Sequence, residues 1–151
     1  PLIVDGVPLI NRSIDVGGDT LSKAIANAMN VDLARAEQFK RDFGIASAQG
    51  GVSQIPKTID FVISSVVNEI RYVTNLYRAQ EERPIEKLIL SGGSAFLPNL
   101  TDYLSNLLNL KVIIGDPWAR VSCPVDLKVA LDEIGPRFAV AIGLAMREIV
   151  G

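Results

Sequence analysis

The stretch from Lys87 to Leu100 (KLILSGGSAFLPNL) constrains this chain more than any other, because a short apolar run ends in a glycine pair and then re-enters helical periodicity. Lys87 to Leu90 is aliphatic and does not alternate, as expected of a strand buried on both faces of a partly parallel sheet. Gly92 and Gly93 carry no β-carbon, so a flat ligand can approach the backbone there. Pro98 suits the first turn of the next helix, whose φ it already satisfies and whose N–H it does not need. Apolar residues then recur at Leu100, Tyr103, Leu104, Leu107 and Leu108, a single helical stripe. Strand, glycine turn and helix in this order set the turn at the carboxyl end of a strand, where open α/β sheets place ligands. A glycine pair alone is more often a plain tight turn, so the rest of the chain has to supply the context.

Composition narrows the chemistry. With 151 residues, 48% of them hydrophobic, the chain is long enough to bury a real core. Fifteen basic residues nearly balance seventeen acidic ones, and no basic run points to nucleic acid or to a polybasic membrane patch. Histidine is absent, which removes Ser-His-Asp chemistry and histidine metal sites. Cys123 is the one cysteine, so no internal disulfide or multi-cysteine zinc site forms, and a reducing cytoplasmic setting is expected. No apolar run is long enough to span a bilayer, and no signal-peptide pattern opens the chain.

Taken in order, Leu2 to Ile10 predicts a hairpin about an Asp5-Gly6 turn. Its second strand should continue, with Ile10, Ile14 and Val16 on one face and Asn11, Ser13 and Asp15 on the other. Gly17-Gly18 ends it. Asp19 or Thr20 should cap a helix whose stripe is Leu21, Ala24, Ile25 and Ala28. Asp32 should cap a second helix, buried through Leu33, Ala36, Phe39 and Phe43 and stopped by Gly44. Its opposite face stacks Glu37, Lys40 and Arg41 at spacings of three and four. Such a stripe is most often a solvated ion-pair face; the sharper alternative is a carboxylate that accepts from ribose hydroxyls beside a lysine that borders a base. Ile45 to Ser53 predicts a loop, and Ile55 to about Gln80 the longest helix, with Ile59, Val62, Ile63, Val66, Val67, Ile70, Val73 and Tyr77 at helical spacing as its core stripe and Glu81-Glu82-Arg83-Pro84 as its end. Lys111 to Ile114 is a further short strand, Asp116-Pro117-Trp118 opens an irregular connection, and Gly135-Pro136 should precede a final helix that faces Ala139, Ile142, Gly143 and Met146 inward.

Hairpin, helix, helical excursion, then strand-helix-strand-helix resembles the second half of the actin, sugar-kinase and heat-shock ATPase (ribonuclease H-like) fold, an α/β fold whose mixed sheet is flanked by helices. The resemblance places an incomplete core subdomain at 1–29 and 84–151 and an inserted all-helical, nucleotide-flanking subdomain at 30–83. In that superfamily a strand ending in a glycine pair forms the adenosine motif, matched by Leu90-Ser91-Gly92-Gly93 with Ser94 and Ala95. A Glu-x-x-Lys pattern in the insert, matched by Glu37 and Lys40, borders ribose and base. Within the superfamily, Val4-Asp5-Gly6, Val16-Gly17-Gly18-Asp19-Thr20-Leu21, Ala36 to Lys40, Ser91 to Leu100, Asp116-Pro117-Trp118 and Phe138 to Arg147 are similar to the PilM family of type IV pilus platform proteins, relatives of the division protein FtsA. The likeness covers nearly the whole chain.

This resemblance implies ATP as ligand, with magnesium in the intact protein, and Glu37, Lys40, Arg41, Gly92, Gly93, Ser94 and Phe96 as its adenosine-side contacts. It also implies a cytoplasmic protein at the inner face of the membrane that binds a PilN-like partner through a half not present here. Both phosphate loops of a full member are missing, so no catalytic residue and no ATPase activity are expected of this piece alone. A missing central strand should leave two unpaired edges, between the hairpin and the Leu88 strand, for the other half or another copy to fill. Alternatives are a scaffold that keeps the fold without using nucleotide and an FtsA-like protein, which would carry an amphipathic tail where this chain stops at Gly151. A sugar kinase fits less well, since the segment before Leu88 is short and purely helical.

Overall fold

The computed structural model describes residues 1–45, 55–80 and 83–147. Asp5 and Gly6, at φ 51° and 83°, turn β1 (Leu2–Val4) back onto antiparallel β2 (Val7–Ile10). β2 ends at Ile10, not at Val16. The ladder ends at the Leu2–Ile10 pair, and among the described residues no strand pairs with the segment that follows; alternation without a ladder does not hold a strand.

Helix α1 (Gly18–Met29) is capped differently from the prediction, by Gly17, whose N–H donates to Thr20 Oγ1 at 3.4 Å. Asp19 falls inside the first turn, where its charge suits the helix dipole. Leu21 and Ile25 are buried as predicted, but Ala26 takes the place of exposed Ala28. Helix α2 (Leu33–Phe43) starts at the Asp32 cap, whose Oδ1 accepts the Arg35 N–H at 2.8 Å, and stops at Gly44, at φ 52°. Ala36 is buried and Phe39 packs on the core, whereas Leu33 and Phe43 remain exposed. Helix α3 (Ile55–Arg78) buries Ile59, Val62, Ile63, Val67 and Tyr77 along one stripe. The loop predicted after Ile45 lies outside the described residues, as do Glu81, Glu82 and residues 148–151.

Strand β3 (Lys87–Leu90) pairs in parallel with β4 (Lys111–Ile114). Between them the chain passes through a 3-10 turn (Gly93–Phe96) and α4 (Leu100–Leu108). Pro98 precedes this helix and does not enter its first turn, because Asn99, at φ 62°, is the N-cap. β3 is also less buried than predicted. Leu88 and Leu90 pack on the core while Ile89 stays 54% exposed, since among the described residues no layer covers that face.

Helix α5 (Lys128–Ala145) follows a second 3-10 turn (Val125–Leu127) and runs through Pro136, where the sequence places its start. Pro136 takes the intrahelical donor from the Asp132 carbonyl, and next to it Trp118 packs on the helix, its Nε1–H donating to the Leu131 carbonyl at 2.8 Å. Gly135 leaves the ring room: a β-carbon there would lie 2.8 Å from Trp118 Nε1. Ala139, Ile142 and Met146 are half-buried, but Gly143 is exposed.

The core gathers where four helices converge, with Leu21 and Ile25 of α1, Ala36 of α2, Ile59, Ile63 and Val67 of α3, and Leu104 of α4. The hairpin and the parallel pair stay separate two-stranded sheets. Between them lies a cavity of about 930 Å³, lined by Leu2, Ile3 and Val4 on one side, Leu88 and Ile89 on the other, and Val73 and Tyr77 of α3. Among the described residues no helix is long and apolar enough to cross a membrane.

Candidate functional site

Gly18, the first residue of α1, is the meeting point of the two motifs. A β-carbon on it would lie 3.0 Å from Ser94 Oγ and 3.5 Å from Lys40 Nζ. The glycine turn after β3 and the charged ridge of α2 are therefore neighbours across the start of α1, although Lys40 and Ser94 are far apart in sequence.

The ridge is not the solvated face that helical spacing most often means. Lys40 is buried, with only 11% of its side chain exposed. Its Nζ donates to Glu37 Oε2 at 2.6 Å, Ser22 Oγ at 2.9 Å and the Gly18 carbonyl at 3.2 Å. The Ser22 hydroxyl in turn donates to Glu37 Oε2 at 2.6 Å, with the Gly18 carbonyl at 2.9 Å. Lys40 and then Ser22 hold the Glu37 carboxyl below its ordinary pKa, outweighing the opposing effect of burial. Arg41 is exposed and reaches only Glu37 Oε1, at 3.4 Å.

On the other side, the Gly92 N–H donates to the Pro136 carbonyl at 2.7 Å, which ties the turn to α5. Gly92, at φ 88°, needs the freedom of glycine. The open side of Gly93 faces Arg137, whose Nε lies 3.8 Å from the position of a β-carbon. Phe96 is partly exposed at the end of the 3-10 turn. A second link joins α2 to this region, since the Ile45 N–H donates to the Pro98 carbonyl at 2.9 Å.

Of the seven residues singled out by sequence, Glu37, Lys40 and Arg41 form one cluster, and Ser94 joins it at Gly18. Gly92 and Gly93 face Pro136 and Arg137 instead. Neither the 930 Å³ cavity nor a smaller one of about 230 Å³ beside Trp118 is lined by any of the seven. Sequence reasoning missed Ser22, Gly18 and Arg137. Ser22 sits on the buried side of α1, one turn after Gly18, where a polar residue in an apolar stripe was the available signal. Arg137 had none, because only tertiary packing brings α5 to the turn.

Small sheets flanked by helices, with a glycine turn set against a buried charged ridge, define a mixed α/β protein, and its likeness to solved structures lies in pilus biogenesis. A chain of a solved structure described as a PilM-PilN type IV pilus biogenesis complex is 32% identical, superposes with a TM-score of 0.77, and is matched over 93% of this chain. The present chain spans 39% of that chain's length. The sequence profile described as type IV pilus assembly protein PilM matches residues 2–149. This chain belongs to the PilM family of type IV pilus assembly proteins. No curated protein matches it.

Proposed function

We propose that this chain is the nucleotide-flanking part of an actin-like platform protein of type IV pilus assembly, and that it supplies the adenosine side of an ATP site. The observation that carries the reading is the meeting of Lys40 and Ser94 at Gly18, which sets the acid-lysine ridge beside the glycine turn. The chemistry of the residues fits the ligand. Bare backbone at Gly92 and Gly93 admits a planar base, Glu37 is an ionised acceptor suited to ribose hydroxyls, and Arg41 and Arg137 are exposed cations near a polyanion. ATP with magnesium would bridge this surface to the rest of the intact protein. In the intact protein this part would contact the ligand's nucleoside end.

The intact protein would work at the cytoplasmic face of the membrane, with nucleotide occupancy setting its shape. The similar solved chain is described in complex with PilN, which supports a PilN-like partner. The gap between the hairpin and β3 supports a further role for the rest of the chain or another copy, as supplier of a strand there. A monomer in light scattering, with the β3 edge exchanging its amides freely, would count against that filling.

Isothermal titration of the intact protein with ATP and magnesium tests the nucleotide reading, with measurable heat expected and a loss of affinity in Glu37→Gln. A folded protein that gives no heat would support the second reading, a scaffold that no longer uses nucleotide. That reading is favoured by the absence of the seven residues from both cavities.

A further inference from the structure

Lys40 has three N–H donors and three acceptors already in place: Glu37 Oε2 at 2.6 Å, Ser22 Oγ at 2.9 Å and the Gly18 carbonyl at 3.2 Å. An ammonium group has no fourth donor. A ligand contact would therefore require Lys40 to give up one of these bonds at a buried position, where a lost partner is costly. The Ser22 hydroxyl is equally committed, donating to Glu37 and accepting from Lys40. Both groups act on the same carboxylate oxygen. The other oxygen, Oε1, has only the long 3.4 Å approach of exposed Arg41, and the Glu37 side chain keeps 35% of its exposure.

We propose that Ser22 and Lys40 are positioning residues which never touch the ligand: they clamp Glu37 by Oε2 so that Oε1 is presented, ionised and in one orientation, to the hydroxyls of a ribose. The inference rests on the nucleotide reading above and goes beyond it, since the ridge then contributes one ligand-contacting oxygen where its sequence suggests an acid and a lysine both in contact. The groups that face the carboxylate are Lys40 and Arg41 from α2 and Ser22 from α1. Ser94 Oγ comes near the cluster at Gly18, 3.0 Å from the position of a β-carbon there.

The test compares ATP with 2′,3′-dideoxy-ATP on the intact protein, by titration calorimetry over a range of pH. The wild-type protein should prefer ATP by roughly tenfold, the scale of a hydrogen bond to a charged acceptor. Ser22→Ala should lose most of that preference while its affinity for the dideoxynucleotide stays the same, and Ser22→Thr should restore it. Losing a donor to Glu37 should also move upward the pH below which the preference disappears. Lys40→Gln should behave like Ser22→Ala. A drop in dideoxynucleotide affinity for Lys40→Gln alone, in a protein that still melts cooperatively, would show a direct lysine contact and overturn the proposal. An unchanged preference in Ser22→Ala would overturn it as well. If the wild-type protein binds both nucleotides without preference, the clamp proposal falls and the nucleotide reading stands; if it binds neither, both fall.

Discussion

Gly44 and Pro98 meet with no room for a side chain between them: a β-carbon on Gly44 would lie 2.4 Å from the Pro98 carbonyl oxygen. The same oxygen accepts the Ile45 N–H at 2.9 Å. The end of α2 is thus fixed to the loop before α4, and through it to the glycine turn. With the bonds from Lys40 to Ser22 and Gly18 and from Ser22 to Glu37, α2 is attached both to α1 and to the loop before α4, so the ridge is held in place before any ligand arrives.

Gly44→Ala should accordingly be among the most damaging small substitutions in the chain. Gly44 is at φ 52°, which alanine resists, and the added carbon would collide with backbone, which cannot rotate away. A loss of about 2–4 kcal/mol is expected, the range of strain plus overpacking. Urea denaturation followed by circular dichroism measures it; a midpoint within error of wild type would mean that the α2 end is not docked on Pro98.

Acid should reveal Glu37. Its folded pKa is lowered, first by Lys40 and then by Ser22, so the folded protein releases this proton more readily than the unfolded chain. The stabilisation is complete above the ordinary carboxylate pKa of about 4.3 and is lost as pH falls through the lower folded value. The difference in melting temperature between wild type and Glu37→Gln should be largest near neutrality and shrink towards pH 3. A difference that does not vary with pH would assign the effect to packing.

Two exposed ion pairs tie down the hairpin region. Arg12 Nε lies 2.6 Å from Glu69 Oε1 and its guanidinium 5.4 Å from the Tyr72 ring, while Arg83 Nη1 lies 3.0 Å from Asp5 Oδ2. Exposed pairs contribute little to global stability, about 0.2–1 kcal/mol. Arg12→Ala should therefore speed hydrogen exchange at Leu2 to Ile10 while amides in α3 keep their protection. Equal acceleration in both would mean that the hairpin and the helices open together.

Trp118 is the one tryptophan and reports on α5. Gly135→Ala would place a carbon 2.8 Å from its Nε1 and 3.1 Å from its Cδ1, expelling the indole and breaking its bond to the Leu131 carbonyl. A red-shifted emission with a lower melting temperature is expected. An unshifted spectrum would show that the ring is not held there.

Local chemistry made much of the fold legible. Asp5-Gly6, Asp32 and Gly44 act through their own backbone preferences, and each does what its residue type predicts. The α3 stripe was readable because one apolar face on a long helix has one packing solution. The misses share a different origin. Whether β2 continues past Ile10 depends on which strand lies beside it, and where α5 starts depends on packing with residues such as Trp118, which lies in another segment.

For the candidate site the division is sharper. The amino-acid sequence by itself determined that a glycine turn follows a strand and that Glu37, Lys40 and Arg41 share a helix face, since both follow from bonds and repeats within a few residues. Only the tertiary structure decided that Lys40 is buried and saturated, that Ser22 completes its coordination and that Gly18 brings Ser94 alongside. Desolvation and hydrogen-bond saturation are properties of the space between helices, and no single helix encodes what its neighbour will place there.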